Sequence, residues 1–407
     1  MANAILTIDM ITREAVRLWK NSNAFLQNVD MQYDDSFAVE GAKIGTSLRI
    51  RLPNDFTVRN GPALQVQDLL EQSTTLVLAT QRGVDVSFST QQRTMSLDDY
   101  SRRVLAPMVN NLAGNISVDL MSGIEGGICN FVANQDGANN LLTPILSTYL
   151  NAGASLDINS APIANRKVVN GPRTEARVVA SLSGLLNPQS QISDQYVTGR
   201  MYDAAGFIRM KDQTNIIHTN GTLAQNSATV NGANQTGLVL AVNALAGSLN
   251  QGDIVTLAGV NKVNRIEKQD TGELEQFVVT APAAVNATSI SIYPAIVPPV
   301  GGQVVQYQTV TASPANGAAV NPVNGLAAST KYRKNFVYAP EAVTMAFADL
   351  EIPKNVQEAH RETFDMVSMR MVTQYVIGTD QLPTRLDALY GYLWVRPEWA
   401  VVVPDII

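Results

Sequence analysis

One cysteine, Cys129, and two histidines, His218 and His360, are all that 407 residues offer of the side chains that most often hold metals or shuttle protons. A single thiol excludes an intramolecular disulfide and any multi-cysteine metal site. Positive charge is scarce too. The 29 Lys and Arg stand against 35 Asp and Glu, a net charge of −6, so the composition lacks the concentrated cationic field that grips phosphates. Charged residues make up only 16% of the chain, and apolar residues 45%, as in a globular protein with a weakly charged surface. No apolar run approaches the ~20 residues of a membrane helix. The start, MANAILTIDMITREAV, has no basic region leading into a long apolar stretch, which predicts no signal peptide and an intracellular, soluble, reduced setting.

Motifs of chemistry are missing as well. The chain has no Walker-type glycine loop, no GxGxxG and no GxSxG elbow. His360, in Glu358-Ala-His-Arg-Glu362, lacks the second histidine of a zincin and reads as a surface helix or loop residue. His218, in Asn215-Ile-Ile-His-Thr219, reads as a satisfied structural histidine. Cys129, in Gly127-Ile-Cys-Asn-Phe131, has no basic neighbour to lower its pKa and reads as a small buried side chain. No catalytic residue, metal or cofactor is expected.

What is present is patterned for structure. Residues 5–26 carry Ile8, Ile11, Ala15, Leu18 and Trp19 at three- and four-residue steps, an amphipathic helix whose stripe must lie on the body of its own chain or on a neighbour. In Ser47–Leu52, Leu48, Ile50 and Leu52 alternate with Arg49 and Arg51, a strand with one apolar and one cationic face. With Thr75–Leu78, Val84–Phe88 and the intervening polar stretch from Pro53 to Ser73, it predicts a long arm that needs a cover, because a lone hairpin is marginal in water. Residues 97–124 predict a long helix capped by Ser96, with an apolar stripe from Leu97 to Leu120, kinked at Pro107 or split there into two segments. Further on, Asn187-Pro188 reads as a helix start and Arg177–Leu182 as a short buried strand.

Composition changes between 222 and 330, where the only charged residues are Asp253, Lys262, Arg265, Glu267, Lys268, Asp270, Glu273 and Glu275. Strand-like runs at Ile254–Ala258, Phe277–Thr280, Ser289–Tyr293 and Gln303–Val310, separated by turn signals, predict a small barrel or sandwich inserted into a host fold. The chain then returns to strands at Phe336–Tyr338, Val343–Phe347, Phe364–Ile377 and Tyr390–Val403, the last broken at Arg396-Pro397-Glu398.

This order resembles the tailed-phage major capsid (coat) proteins of the Hong Kong 97 fold, in particular the gene-5-type podoviral coat family. Four passages carry the resemblance: Ser96-Leu-Asp-Asp-Tyr-Ser-Arg-Arg-Val104, Leu186-Asn-Pro-Gln189, Gly252-Asp-Ile-Val-Thr-Leu-Ala-Gly-Val260 and Leu393-Trp-Val-Arg-Pro-Glu-Trp-Ala400. It implies an α+β fold with an N-arm (1–35), an E-loop with flanking strands (36–95), and a spine helix of the peripheral domain with the axial domain (96–221). An inserted all-β barrel (222–330) and C-terminal strands (331–407) returning to the peripheral and axial domains complete it. The implied function is a shell of hexamers and pentamers around packaged double-stranded DNA, bound without sequence specificity and built through a scaffold-dependent procapsid that expands on maturation. The implied partners are further copies of the chain, a scaffolding protein and a portal protein, with no membrane; the implied place is the virion, after synthesis in the host bacterial cytoplasm. Asp9 matches an acidic scaffold-docking position. The stretch Ala224–Thr236, where the family can carry a charged inter-capsomer loop, is uncharged here.

A closed shell needs different surfaces on the two sides of each subunit. The arm fits that need if an adjacent subunit covers Leu48, Ile50 and Leu52 while Arg49, Arg51 and Arg59 meet its carboxylates. The other classes to weigh are a β-rich adhesin or receptor-binding virion protein, which would show repeats or an exported start, and a motif-poor enzyme using Asp, Glu, Tyr and Arg.

Overall fold

The structure is a computed structural model that describes residues 12–16, 19, 25–31, 47–59, 61–64, 66–67, 71–89, 104–124, 126–136, 140–181, 205–213, 216–299, 305–323, 329–364 and 366–407. The chain divides into two compact units. One comprises Met1–Leu52, Ser73–Leu120 and Val343–Val395; the other comprises Pro53–Gln72, Met121–Ala342 and Arg396–Ile407.

In the first unit the alternation at 47–52 becomes strand Ser47–Arg51, antiparallel to Ser73–Val77. Period two sends Leu48 and Ile50 to one side and Arg49 and Arg51 to the other. Ile50 and Leu76 are buried with Val395, and Leu48, Leu52, Ala346 and Leu393 pack around them. Within the chain Ile50 is thus buried, while Leu48 and Leu52 stay partly exposed. The chain's own C-terminal strands supply the second layer that a lone hairpin lacks. The long strand Gln381–Trp394 makes this possible, because it pairs with Thr80–Ser89, Val343–Ala348 and Val367–Thr373 at once. Glu358–Phe364 extends the same sheet.

The long helix, α1, runs Ala106–Ile124. Met108, Leu112, Ile116 and Leu120 are buried at four-residue steps, the stripe read from the sequence. Pro107 does not split α1. The backbone just before α1, at Val104 and Leu105, is π-helical, so the regular α-helical pattern begins only at Ala106. The Ser96 cap and residues 97–103 fall outside the described residues. Asp119 ties α1 to the sheet: its carboxylate accepts from the Tyr390 hydroxyl (2.7 Å) and Arg82 (3.0 Å), and its carbonyl from the Tyr392 hydroxyl (3.1 Å). Ala15, Val16 and Trp19 of the N-terminal helix are buried, with Trp19 edge-on to Phe347.

In the second unit the host sheet runs in the order Asn130–Phe131, Ala400–Ile406, Lys331–Tyr338, Lys167–Asn170 and Ile208–Lys211, with Ile217–Thr219 also on Lys331–Tyr338. Helices α2 (Leu146–Ile158) and α3 (Pro172–Ser181) share its core, burying Tyr149, Leu156 and Val178 with Val168, Val337 and Val401. Arg177–Leu182 was expected as a strand, but Arg177–Ser181 is the last part of α3. Pro172 opens that helix and Glu175 occupies its first turn, both of which favour a helix start. The Asn187-Pro188 start lies outside the described residues.

The segment 222–330 leaves and rejoins the host sheet at adjacent points. Thr219 pairs with Lys331, Asn220 N–H bonds the Thr330 carbonyl (3.1 Å), and Ser329 N–H bonds that of Gly221 (3.1 Å). Between them six strands follow the order Ala228–Thr229, Ala319–Pro322, Ile254–Val263, Asp270–Val279, Ser289–Ile296 and Gly237–Ala241. The ladders form an open path rather than the expected closed barrel, and its ends touch only through the bridge of Val230 to Val242. Gln303–Val310 was expected as a strand. Instead Val305–Tyr307 is a short 3-10 turn, and Val310 makes an isolated antiparallel bridge to Lys262. The segment nonetheless has its own core, with Leu240, Val255, Phe277, Ile290 and Val320 fully or almost fully buried.

Expressed alone, 222–330 is expected to fold, giving a dispersed amide-proton spectrum; a coil-like spectrum would contradict the self-contained core. In the first unit a Cβ at Gly83 would run into the Asp387 carboxylate, which is buried and held by Arg370 (2.8 Å) and Arg385 (2.7 Å). Gly83→Ala is expected to cost about 1–3 kcal/mol in urea unfolding, the usual range for overpacking. An unchanged midpoint would show that Asp387 can move aside.

Candidate functional site

The residues that could have carried chemistry are spent on structure. Cys129 is buried, and burial first, then the charge of Glu275, pushes its thiol up to about 12, far from a reactive thiolate at neutral pH. His218 is buried with Nε2 2.8 Å from Asp253 Oδ1, and the other Asp253 oxygen accepts from the N–H groups of Gly221 (2.9 Å) and Asn250 (2.8 Å). This clasp closes the neck of the inserted segment. His360 lies in strand Glu358–Phe364, not in a helix or loop, 3.3 Å from Glu362 Oε2. Among the described residues no three His, Cys, Asp or Glu side chains are grouped to hold a metal, and no helix is long and apolar enough to cross a membrane. A cleft of about 630 Å³ between α2 and the Ile254–Val263 and Asp270–Val279 hairpin is lined by Phe131, Asn151, Ser155, Lys262 and Glu273 among others, with no His or Cys at its wall.

The arm offers a different kind of site. Its strands belong to the first unit; the stretch beyond them, Pro53–Gln72, belongs to the second. The sequence reads as polar there, yet Phe56, Val58, Leu64 and Val66 are 60–91% exposed. Side chains, not a ladder, shape this distal arm. Gln67 bonds the Thr57 backbone through both its amide groups, its Oε1 accepting from Thr57 N–H at 2.9 Å. Gly61 turns the chain with φ of 88°, and Arg59 donates to the carbonyls of Gly61 and Ala63 across that turn. Of the residues singled out in the sequence, Arg49 is exposed and donates to Ser73 Oγ (2.8 Å), Arg51 is exposed on the same face, and Arg59 braces the turn. Leu48, Ile50 and Leu52 are used internally. Asp9 falls outside the described residues.

Within the second unit the distal arm meets a charge cluster that sequence reading missed. Arg265 joins two carboxylates, Asp55 on the arm (Nε to Oδ2, 2.9 Å) and Glu398, and all three side chains are 22–24% exposed. Burial by itself lowers the Arg265 pKa, but Glu398 and Asp55 outweigh it and the net shift is upward. Glu398 is anchored further by Arg396 (3.8 Å) and the Tyr293 hydroxyl (3.5 Å). Lys268 Nζ is buried without a hydrogen-bond partner among the described residues; burial lowers its pKa, while Asp55 pulls the other way. The confinement of charge to 253–275 was the only sequence signal, and it named neither Asp55 nor Glu398.

The same hairpin is fixed to the host sheet by polar contacts. The Gln276 side chain bonds both backbone groups of Phe131 (2.7 and 3.0 Å), and Lys262 Nζ bonds Asn130 Oδ1 (2.9 Å). Beside them Glu275 is buried, and burial raises its carboxyl from 4.5 to about 7 against the pull of Lys262. The unfolded chain releases this proton near its ordinary value while the folded chain keeps it to about 7, so stability falls as pH rises through that window. The total is about 3 kcal/mol. Glu275→Gln is expected to be neutral at pH 4 and stabilising at pH 8 in urea unfolding; equal effects at both values would contradict a buried protonated acid.

What the described residues present outward is a surface, the exposed apolar side chains of the distal arm. The chain belongs to the P22 coat protein family (gene protein 5), whose model matches residues 42–403. It is a major capsid protein, a subunit of a bacteriophage shell. None of the curated proteins matches. Similar solved structures include one from Mycobacterium phage Che8, at 10% identity, 94% coverage of this chain, 90% of that chain and a TM-score of 0.49. The capsid of Ralstonia phage GP4 is 7% identical over 89% of this chain and 84% of that one, with a TM-score of 0.44. The CUS-3 coat protein I-domain is 30% identical over 25% of this chain and 98% of its own length, with a TM-score of 0.21.

Proposed function

We propose that the distal arm is the contact by which one subunit holds the next in hexamers and pentamers of the shell. The observation that carries this is the exposure of Phe56, Val58, Leu64 and Val66 on a segment with no strand partners. Covering each returns about 1.5–3 kcal/mol, enough together to drive association once a neighbour offers an apolar surface. Arg49 and Arg51, exposed on the arm strand, and Arg59 would meet that neighbour's carboxylates and set register more than affinity. In this reading the chain has a Hong Kong 97-like division: N-arm, E-loop in the arm, spine helix in α1, peripheral and axial domains, and 222–330 as the inserted domain. Assembly would proceed through a procapsid with a scaffolding protein docked near Asp9 and a portal protein at one vertex. That shell, made in the bacterial cytoplasm, would then expand around packaged double-stranded DNA. The net charge of −6 supports an interior that does not grip the incoming DNA.

Two variants test the contact. Val58→Asp with Leu64→Asp, and separately Arg49→Glu with Arg51→Glu, are expected to leave the circular dichroism of the soluble chain unchanged. Both should remove shells from sedimentation profiles and negative-stain images. Shells at the normal yield from both would refute the arm as an assembly contact.

A further inference from the structure

We propose that Asp55, Arg265 and Glu398 form a releasable clasp that parks the distal arm on its own unit until a neighbouring subunit takes it. The inference rests on the arm being the inter-subunit contact and adds how that contact is held in reserve. The large apolar side chains of the distal arm are exposed, so polar groups do the holding: Asp55 to Arg265 at 2.9 Å and the Tyr307 hydroxyl to Asn54 Oδ1 at 3.3 Å.

The chemistry of the cluster makes its two halves unequal. Arg265 is fixed from behind, because Glu398, which pairs with it, is itself held by Arg396 and Tyr293. When Asp55 leaves, Arg265 keeps a carboxylate and is not stranded, the condition under which breaking an ion pair is cheap. Asp55 passes into water as an ordinary carboxylate. Lys268, with no hydrogen bond among the described residues, lies in the field of Asp55 and draws it back. Releasing the arm exposes little new apolar surface, since Phe56 and Val58 are already 60% and 91% exposed. The clasp also gives the charged hairpin of an otherwise uncharged insertion a task within its own subunit.

The test uses the dilute, unassembled full chain. Spin labels are placed on Val58→Cys and Ile266→Cys, both exposed, while the native Cys129 is buried and does not react. The parked arm predicts one narrow distance distribution, which Asp55→Asn broadens and lengthens and Asp55→Glu retains. Asp55→Asn is also expected to raise the initial rate of shell formation about two- to five-fold, the factor a partly exposed ion pair sets. An unchanged distribution in Asp55→Asn overturns the clasp, and so does a released arm with an unchanged or slower assembly rate. Failure of the arm contact itself is read elsewhere: it would appear as normal shells from Val58→Asp with Leu64→Asp, whatever the label distances show.

Discussion

Apolar surface that a chain leaves in water is a demand for another surface, and the distal arm makes that demand in its plainest form. The arm strands do not. Their apolar face is closed by Ala346, Leu393 and Val395 of the same unit, so the stem of the arm is part of a folded body. The stretch between the strands, shaped by a glutamine and an arginine rather than by ladder bonds, carries four large apolar side chains that are 60–91% exposed. A stable stem with an uncovered end is what a subunit needs if it is to fold alone and still bind its sibling.

The inserted segment solves a different problem. A hundred residues can be spliced into a sheet when the splice points are neighbours, and the pairing of Thr219 with Lys331 makes them so. The buried Asp253 clasp then locks the neck through His218, Gly221 and Asn250. The segment has its own core, and polar contacts, among them those of Gln276 and Lys262, fix it to the host sheet. Its charge is confined to the hairpin that makes those contacts and reaches the arm, where charge has partners.

Much of the fold was legible because period and punctuation act locally. Alternation at 47–52 gave the correct inward face, the four-residue stripe gave α1, and Arg396-Pro397-Glu398 marked the break between the last two strands. Alternation says which face is buried but not what packs on it, so the packing of Ala346, Leu393 and Val395 around Ile50 was not legible in it. Short apolar runs are ambiguous between helix and strand, and Arg177–Leu182 went the wrong way for that reason. The clasp was beyond local reading altogether: Asp55 and Arg265 are 210 residues apart, and Arg265 and Glu398 are 133 apart. His218, by contrast, reads as structural from the sequence, and in the structure it is buried against Asp253.

A density map of the assembled shell, resolved well enough to trace residues 53–67, tests the central claim most directly. The account predicts Phe56, Val58, Leu64 and Val66 packed on an adjacent copy, with Asp55 drawn off the Arg265 of its own chain. Finding the same four side chains facing solvent in the finished shell, with Asp55 still on its own Arg265, would contradict it.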